Sequence, residues 1–222
     1  MAYMKPYVVR PGDYLAKLAF IHGFDAEAVW NHEKNATLKA SRDPAILSPC
    51  DILYIPAEED PEEASLPLVC EGTNEYTADV PDVSIELVLK DGEGQPLAGE
   101  PFEVVGIADP PKDRSTEGDG TVKFTVPILT EKVTVILTKK NLRYEVRLGH
   151  LDPLAKEERS VSGICGRLTN LGYFQWNDAV PLEYADEAIA GALACFQADN
   201  GLPETGLADE KTIEKLKSVH GS

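Results

Sequence analysis

Ala192-Leu193-Ala194-Cys195-Phe196-Gln197-Ala198-Asp199-Asn200-Gly201-Leu202-Pro203-Glu204-Thr205-Gly206-Leu207-Ala208-Asp209-Glu210-Lys211-Thr212-Ile213 is the stretch from which the fold of the C-terminal third is read. Ile189, Ala192, Leu193 and Phe196 recur at helical spacing, and the stripe ends before Gly201. A further helix begins after Asp209, whose carboxylate suits the cap position, and turns Thr212, Ile213 and Leu216 inward. Upstream, Val161, Ile164, Cys165, Leu168 and Leu171 share one face of a helix opened by Ser160 and stopped by Gly172. Three short helices predict a small bundle.

Before this segment the period changes from helical to two. Ile85, Leu87 and Leu89 alternate with Glu86 and Lys90, Val122, Phe124 and Val126 repeat the pattern, and so do Val133, Val135 and Leu137. Asp91-Gly92-Glu93-Gly94 and Asp119-Gly120 are tight-turn signals between them. Short strands separated by such turns predict a small antiparallel sandwich.

The N-terminal segment mixes both periods. Tyr7-Val8-Val9 reads as a strand, Arg10-Pro11-Gly12-Asp13 as a turn whose Asp caps a helix beginning near Tyr14, and Gly23 as that helix's left-handed stop. Leu15, Leu18 and Ala19 form its apolar stripe. A second helix is expected over Ala26 to His32 with Val29 and Trp30 as anchors, then a polar loop, then a strand at Ile52-Leu53-Tyr54-Ile55-Pro56. The acidic, proline-bearing run from Ala57 to Pro67 cannot form a core and reads as a solvated linker. A multi-domain α+β organisation follows, with a βααβ module at 1–57, the acidic linker at 58–79, the sandwich at 80–153 and the helical unit at 154–222.

Each unit resembles a known family. Tyr7-x-Val9-x-x-Gly12-Asp13-x-Leu15, then Leu18-Ala19, Gly23, Asn31 and the closing Leu47-x-Pro49-x-Asp51-x-Leu53-x-Ile55-Pro56, resemble the LysM carbohydrate-binding module. Cys50 stands where that family has a glycine, and the loop from Glu33 to Pro44 is longer than in a minimal module. The resemblance implies a sugar groove between Asp13, Tyr14 and Leu15 on one side and Ile46, Leu47, Pro49 and Cys50 on the other. The turns at Lys90 to Gly99 and Thr116 to Phe124 look like those of transthyretin-like or carboxypeptidase-regulatory Ig-like domains. Gly163-Ile164-x-x-Arg167-Leu168-x-Asn170-Leu171-Gly172-Tyr173, with Phe196-Gln197-x-x-Asn200-Gly201-Leu202-x-x-Thr205-Gly206-x-x-Asp209-x-x-Thr212, resembles the peptidoglycan-binding domain 1 family. There the segment from Trp176 to Glu183 departs from the family's usual glycine- and aspartate-bearing turn.

Composition limits the possible partners. The chain has 222 residues with 21 Lys+Arg against 38 Asp+Glu, a net charge of -17 and no local basic patch, which argues against nucleic acid and anionic membrane surfaces. No apolar run approaches the about 18 residues needed to cross a bilayer, and no secretory signal pattern opens the sequence. The expectation is synthesis in the cytoplasm, followed by residence there or delivery to the periplasm or wall by a non-classical route.

Catalytic chemistry has no foothold in the sequence. His22, His32, His150 and His220 are dispersed, no His-Glu-x-x-His occurs, and 38 carboxylates make any one pair uninformative. Asp113, Glu117 and Asp119 lack the spacing of a calcium loop. The four cysteines, Cys50, Cys70, Cys165 and Cys195, form no Cys-x-x-Cys pair and read as structural thiols, with Cys165 and Cys195 as buried neighbours. No enzyme activity, metal or cofactor is expected.

What these residue types suit is glycan binding, in which aromatic faces pack on sugar rings and side-chain amides meet hydroxyls. Asn31, Tyr173, Phe174 and Trp176 join the groove residues as candidates, whereas Phe24 and Trp30 are expected in the core. The functional expectation is a non-catalytic peptidoglycan-binding protein, its ligand an N-acetylglucosamine-containing glycan, with two terminal wall-binding modules. The order of modules, with the phrase Arg147-Leu148-Gly149-His150-Leu151-Asp152-Pro153, also resembles proteins of contractile injection systems of the type VI secretion kind. That resemblance implies the alternative, a cytoplasmic adaptor whose modules contact spike or baseplate proteins.

Overall fold

A computed structural model of the chain describes residues 3–57, 72–73, 79–108, 110, 112–154, 161–175 and 186–221. Most of the expected linker, Cys70, Ser160 and the segment from Trp176 to Glu183 lie outside them. The described residues combine helices with antiparallel sheets, and their buried apolar side chains fall into three separate cores.

In the first unit β1 (Met4–Val8) pairs antiparallel with β2 (Ile52–Pro56), Met4 opposite Pro56 and Val8 opposite Ile52. Between them lie α1 (Leu15–His22), α2 (Ala26–Trp30), a 3-10 turn (Glu33–Asn35) and α3 (Ala36–Ser41). Gly23 ends α1 at φ 68°, as its position predicts, and Asp25 caps α2 by accepting from Ala28 N. Two expectations are corrected. Asp13 does not cap α1; its Oδ2 accepts from Tyr7 Oη at 2.8 Å and Arg10 N at 2.9 Å, which closes the turn, while Tyr14 occupies the cap position without a side-chain bond to the helix. The expected polar loop holds α3, because Asn35, fully buried, anchors its start.

Asn35 explains how that segment packs. Its Nδ2 donates to Val29 O and Tyr54 O, and its Oδ1 accepts from Tyr54 N, each at 2.8 Å. One side chain thereby supplies β2 with the partners a neighbouring strand would otherwise provide, and no buried amide is left unpaired. Trp30 and Phe24 pack in or against this core, as expected.

The sandwich holds β3 (Asp82–Val88), β4 (Pro101–Val105), β5 (Arg114–Ser115), β6 (Thr121–Pro127), β7 (Lys132–Leu137) and β8 (Leu142–Arg147). β3 pairs with β6, and a second sheet runs β5-β4-β7-β8, all antiparallel. Val122, Phe124, Val126, Val133, Val135 and Leu137 share one core, so the period-two reading places the inward faces correctly. Gly120, at φ 84°, sits where an added Cβ would fall 2.3 Å from Leu89 O; no other residue fits this crossing.

The third unit consists of α4 (Val161–Asn170), α5 (Asp186–Asp199) and α6 (Glu210–His220). Ile164, Cys165, Leu168, Ile189, Ala192, Leu193, Phe196 and Leu216 form its core, and Asp209 caps α6 by accepting from Thr212 N at 2.8 Å. Val161, at the start of α4, is exposed rather than on the inward face, and Arg167 of the same helix is buried. Cys195 is also exposed while Cys165 is buried, and both are free thiols, so they are not buried neighbours. The reason is helical phase: with Ala192, Leu193 and Phe196 facing the core, Cys195 falls on the other side of α5. Among the described residues no helix is long and apolar enough to cross a membrane.

Cys50 adopts φ 73°, the left-handed region in which a side chain is strained and glycine is not. Cys50→Gly is therefore expected to raise the stability of the first unit by about 1 kcal/mol. Denaturant unfolding followed by Trp30 fluorescence in a Trp176→Phe background reads this directly.

Candidate functional site

Two surfaces carry the candidate residues, the turn end of the first unit and one corner of the third. At the turn end the two expected loops do adjoin: Leu15 N donates to Pro44 O and Cys50 N to Val9 O, both at 2.9 Å. Their side chains do not form one open surface, however. Leu15 and Leu47 are in the core, and Asp13 is buried beneath Tyr7 and Arg10, so these three hold the turn together and offer nothing to a ligand. Ile46 is half-buried, Pro49 and Cys50 are exposed. Asn31 is exposed at the far end of α2, where its Oδ1 accepts from Lys39 Nζ, and it is not part of this cluster.

Tyr14 is engaged outside its own unit. Its Oη donates to Ile128 O, in the sandwich, at 2.8 Å, and burial raises its phenol pKa above the ordinary value. Beside it, Gly12 is buried, with His150 Nε2 3.4 Å from where its Cβ would lie. Part of the turn end is thus covered by the protein itself.

The corner of the third unit is built around Tyr173 and Phe174, where α4 has ended at Gly172 with φ 84°. The Tyr173 ring stands edge-on to Phe196 at 5.5 Å, and its Oη donates to Asp199 Oδ2 at 2.9 Å. Burial, then the Asp199 bond and charge, push its pKa up to about 12, so the phenol stays a hydrogen-bond donor through the physiological range. Asn200 is tied by its Nδ2 to Phe196 O, and Phe174 is half-buried against the same core. Trp176, the third aromatic candidate here, lies outside the described residues.

Behind this corner lies a polar network that the candidate-residue reading did not single out. Gln197 is 0% exposed; its Nε2 donates to Leu207 O and Thr212 Oγ1 at 2.9 Å and to Thr205 Oγ1 at 3.1 Å, while its Oε1 accepts from Gly206 N at 2.9 Å. It clamps the Thr205-Gly206 turn against α5 and α6. The clue was a glutamine one residue after the buried Phe196, on a helix face with no solvent.

Arg167 is 2% exposed, and its Nη1 donates to Asp152 O at 2.8 Å and Gly163 O at 3.0 Å. Burial lowers its pKa to about 10, against the opposing charge of Asp152, and it remains a cation at neutral pH. His220 Nε2 lies 3.0 Å from Asn170 Nδ2 on the surface of the same unit. Its pKa is lowered, first by burial and then by the Arg167 charge. Among the described residues no group of three or more His, Cys, Asp or Glu is placed to hold a metal ion.

Residues 160–216 match the family model described as "Putative peptidoglycan binding domain". Among curated proteins and solved structures there is no match to the chain. The C-terminal unit is therefore similar to a peptidoglycan-binding domain over nearly its whole described length.

Two outcomes follow from this geometry. Gln197→Leu leaves Gly206 N and the Thr205 and Thr212 hydroxyls without their partner, and costs about 2–4 kcal/mol of unfolding free energy. His220 has a folded pKa below its unfolded value of 6.5, so the folded state binds fewer protons, and the stability it contributes is present above that value and lost as pH falls. The melting temperature is expected to drop between about pH 7.5 and about pH 5, and His220→Gln, which cannot titrate, is expected to flatten that part of the profile.

Proposed function

We propose that this chain is a non-catalytic protein that binds peptidoglycan through its C-terminal helical unit, with the sandwich as the body that carries it. The match over residues 160–216 supports this reading. The Tyr173 corner suits it chemically: an aromatic ring for a sugar face, a phenol whose O–H is given to Asp199 and whose oxygen can accept from a sugar hydroxyl, and Asp199 and Asn200 beside it for hydroxyl and amide groups. N-acetylglucosamine units of the glycan strand are the ligand class this chemistry fits.

The resemblance of the first unit to LysM modules makes it the second candidate for glycan contact, through the exposed Pro49 and Cys50 side of its turn end. A specific observation favours a different use. Tyr14, which a sugar groove would need open, is engaged by Ile128, and Gly12 beside it is covered by His150. With that loop end covered by the chain itself, a sugar groove there is disfavoured, and the alternative is the adaptor reading, in which spike or baseplate proteins of a contractile injection system are the partners.

Co-sedimentation with purified insoluble peptidoglycan, with serum albumin as the blank, tests the first reading. The full chain is expected in the pellet, and soluble muropeptides are expected to release it. Tyr173→Phe keeps the ring on Phe196 and removes only the phenol; it is expected to lower retention several-fold, about 1 kcal/mol of binding, without lowering the melting temperature by more than a few degrees. Absence of retention by the folded full chain overturns wall binding. Co-purification with a spike or baseplate protein in that case supports the adaptor.

A further inference from the structure

The seven residues Leu148 to Leu154 touch all three units in turn. Leu148 packs against the sandwich core, and its N–H donates to Glu131 O at 2.9 Å. Gly149 then lies on the turn of the first unit: at φ 73°, a Cβ added to it would sit 2.6 Å from Gly12 O and 2.9 Å from Gly12 C. His150 covers Gly12 from the side, and Lys17 Nζ donates to the same Gly12 O at 3.1 Å. Leu151 reaches the third unit, its Cδ1 3.1 Å from the Cβ position of Gly166. The carbonyls of Asp152 and Pro153 lie 2.8 and 2.7 Å from the Cβ position of Gly163, and Leu154 enters the third core.

The chemistry of this strap is backbone against backbone. At both ends a glycine removes the side chain that would hold the surfaces apart, Gly149 against the Gly12 carbonyl on one side and Gly163 against the Asp152 and Pro153 carbonyls on the other. The buried Arg167 guanidinium binds the Asp152 carbonyl, so the third-unit end is fastened by a charge-assisted bond in a site with little water. Only His150 and Leu151 separate the two anchors. So short a segment cannot absorb a large displacement at one end without moving the other.

We infer that the strap Gly149 to Pro153 couples the two terminal units: the turn at Gly12 is a docking face for the protein's own strap, and release of either terminal unit from the strap loosens the other. The Tyr14 bond to Ile128 adds a second fastening on the first-unit side, independent of the strap. The inference goes beyond wall binding and does not depend on it. Its consequence for any ligand is that the two terminal units act as one body and not as two sites on a free tether, which changes the avidity they can reach on a polymer.

Hydrogen exchange of the full chain, read by mass spectrometry, tests the coupling through lesions placed at one end and read at the other. Gly149→Ala puts a methyl group into the Gly12 carbonyl and is expected to speed exchange at least about tenfold both at residues 10–18 and at residues 161–170. Gly163→Ala, the lesion at the third-unit end, is expected to do the same at residues 10–18. Residues 132–137 in β7 serve as the internal reference and keep their wild-type protection. Gly166→Ala meets only the flexible end of Leu151 and is expected to produce a smaller change of the same pattern. If Gly149→Ala leaves residues 161–170 at wild-type protection, or if Gly163→Ala leaves residues 10–18 so even where the third unit unfolds, the coupling is overturned.

Discussion

The close approach of the Gly149 backbone to the Gly12 carbonyl is the contact through which the placement of the first unit is set. Both residues have positive φ, and Gly12 is buried under His150. A backbone turn brought this close to another segment excludes water, so its polar groups must be matched within the protein. The structure does this with Lys17 on the Gly12 carbonyl and Asp13 on the Arg10 amide. The residues that resemble a sugar-binding turn are, by this account, first of all the residues that make the turn rigid enough to be docked against.

The third unit follows the same logic with side chains in place of glycines. Gln197 and Arg167 are polar groups in a helical bundle too small to bury them without full compensation, and each is satisfied mainly by main-chain carbonyls or turn residues rather than by another helix. The amide fixes the Thr205-Gly206 turn, and the guanidinium fixes the entry of the chain from the sandwich. What remains for the exposed corner is Tyr173, already oriented by Phe196 and Asp199. A ring and a phenol oxygen held in one orientation before a ligand arrives lose less freedom on binding, which is the property a small recognition surface needs.

The legible part of the fold was the part with a local period. The alternation of Val122, Phe124 and Val126, the stripe of Ile189, Ala192, Leu193 and Phe196, the stop at Gly23 and the cap at Asp209 all lie where the sequence reading puts them. The misreadings occurred where one residue type has two uses. An aspartate before a helix caps it unless a nearer tyrosine and amide claim the carboxylate, as at Asp13. A polar stretch is a loop unless one buried amide, here Asn35, finds strand and helix partners at once. The groove was implied by loop position in the LysM resemblance, which carries no burial, and so it grouped Leu15 and Leu47, which are core, with Pro49 and Cys50, which are exposed.

By itself the sequence determined the strongly periodic elements of this protein, most of their inward faces, and the similarity of residues 160–216 to a peptidoglycan-binding domain. These properties rest on spacings of two to four residues, along which backbone geometry repeats. Only the tertiary structure decided that Tyr14 bonds Ile128, 114 residues away, and that Gly149 lies on Gly12. Such contacts carry no period. They depend on which backbone surfaces can approach once the three cores have formed, and a glycine in a turn looks the same in sequence whether it faces water or another chain segment.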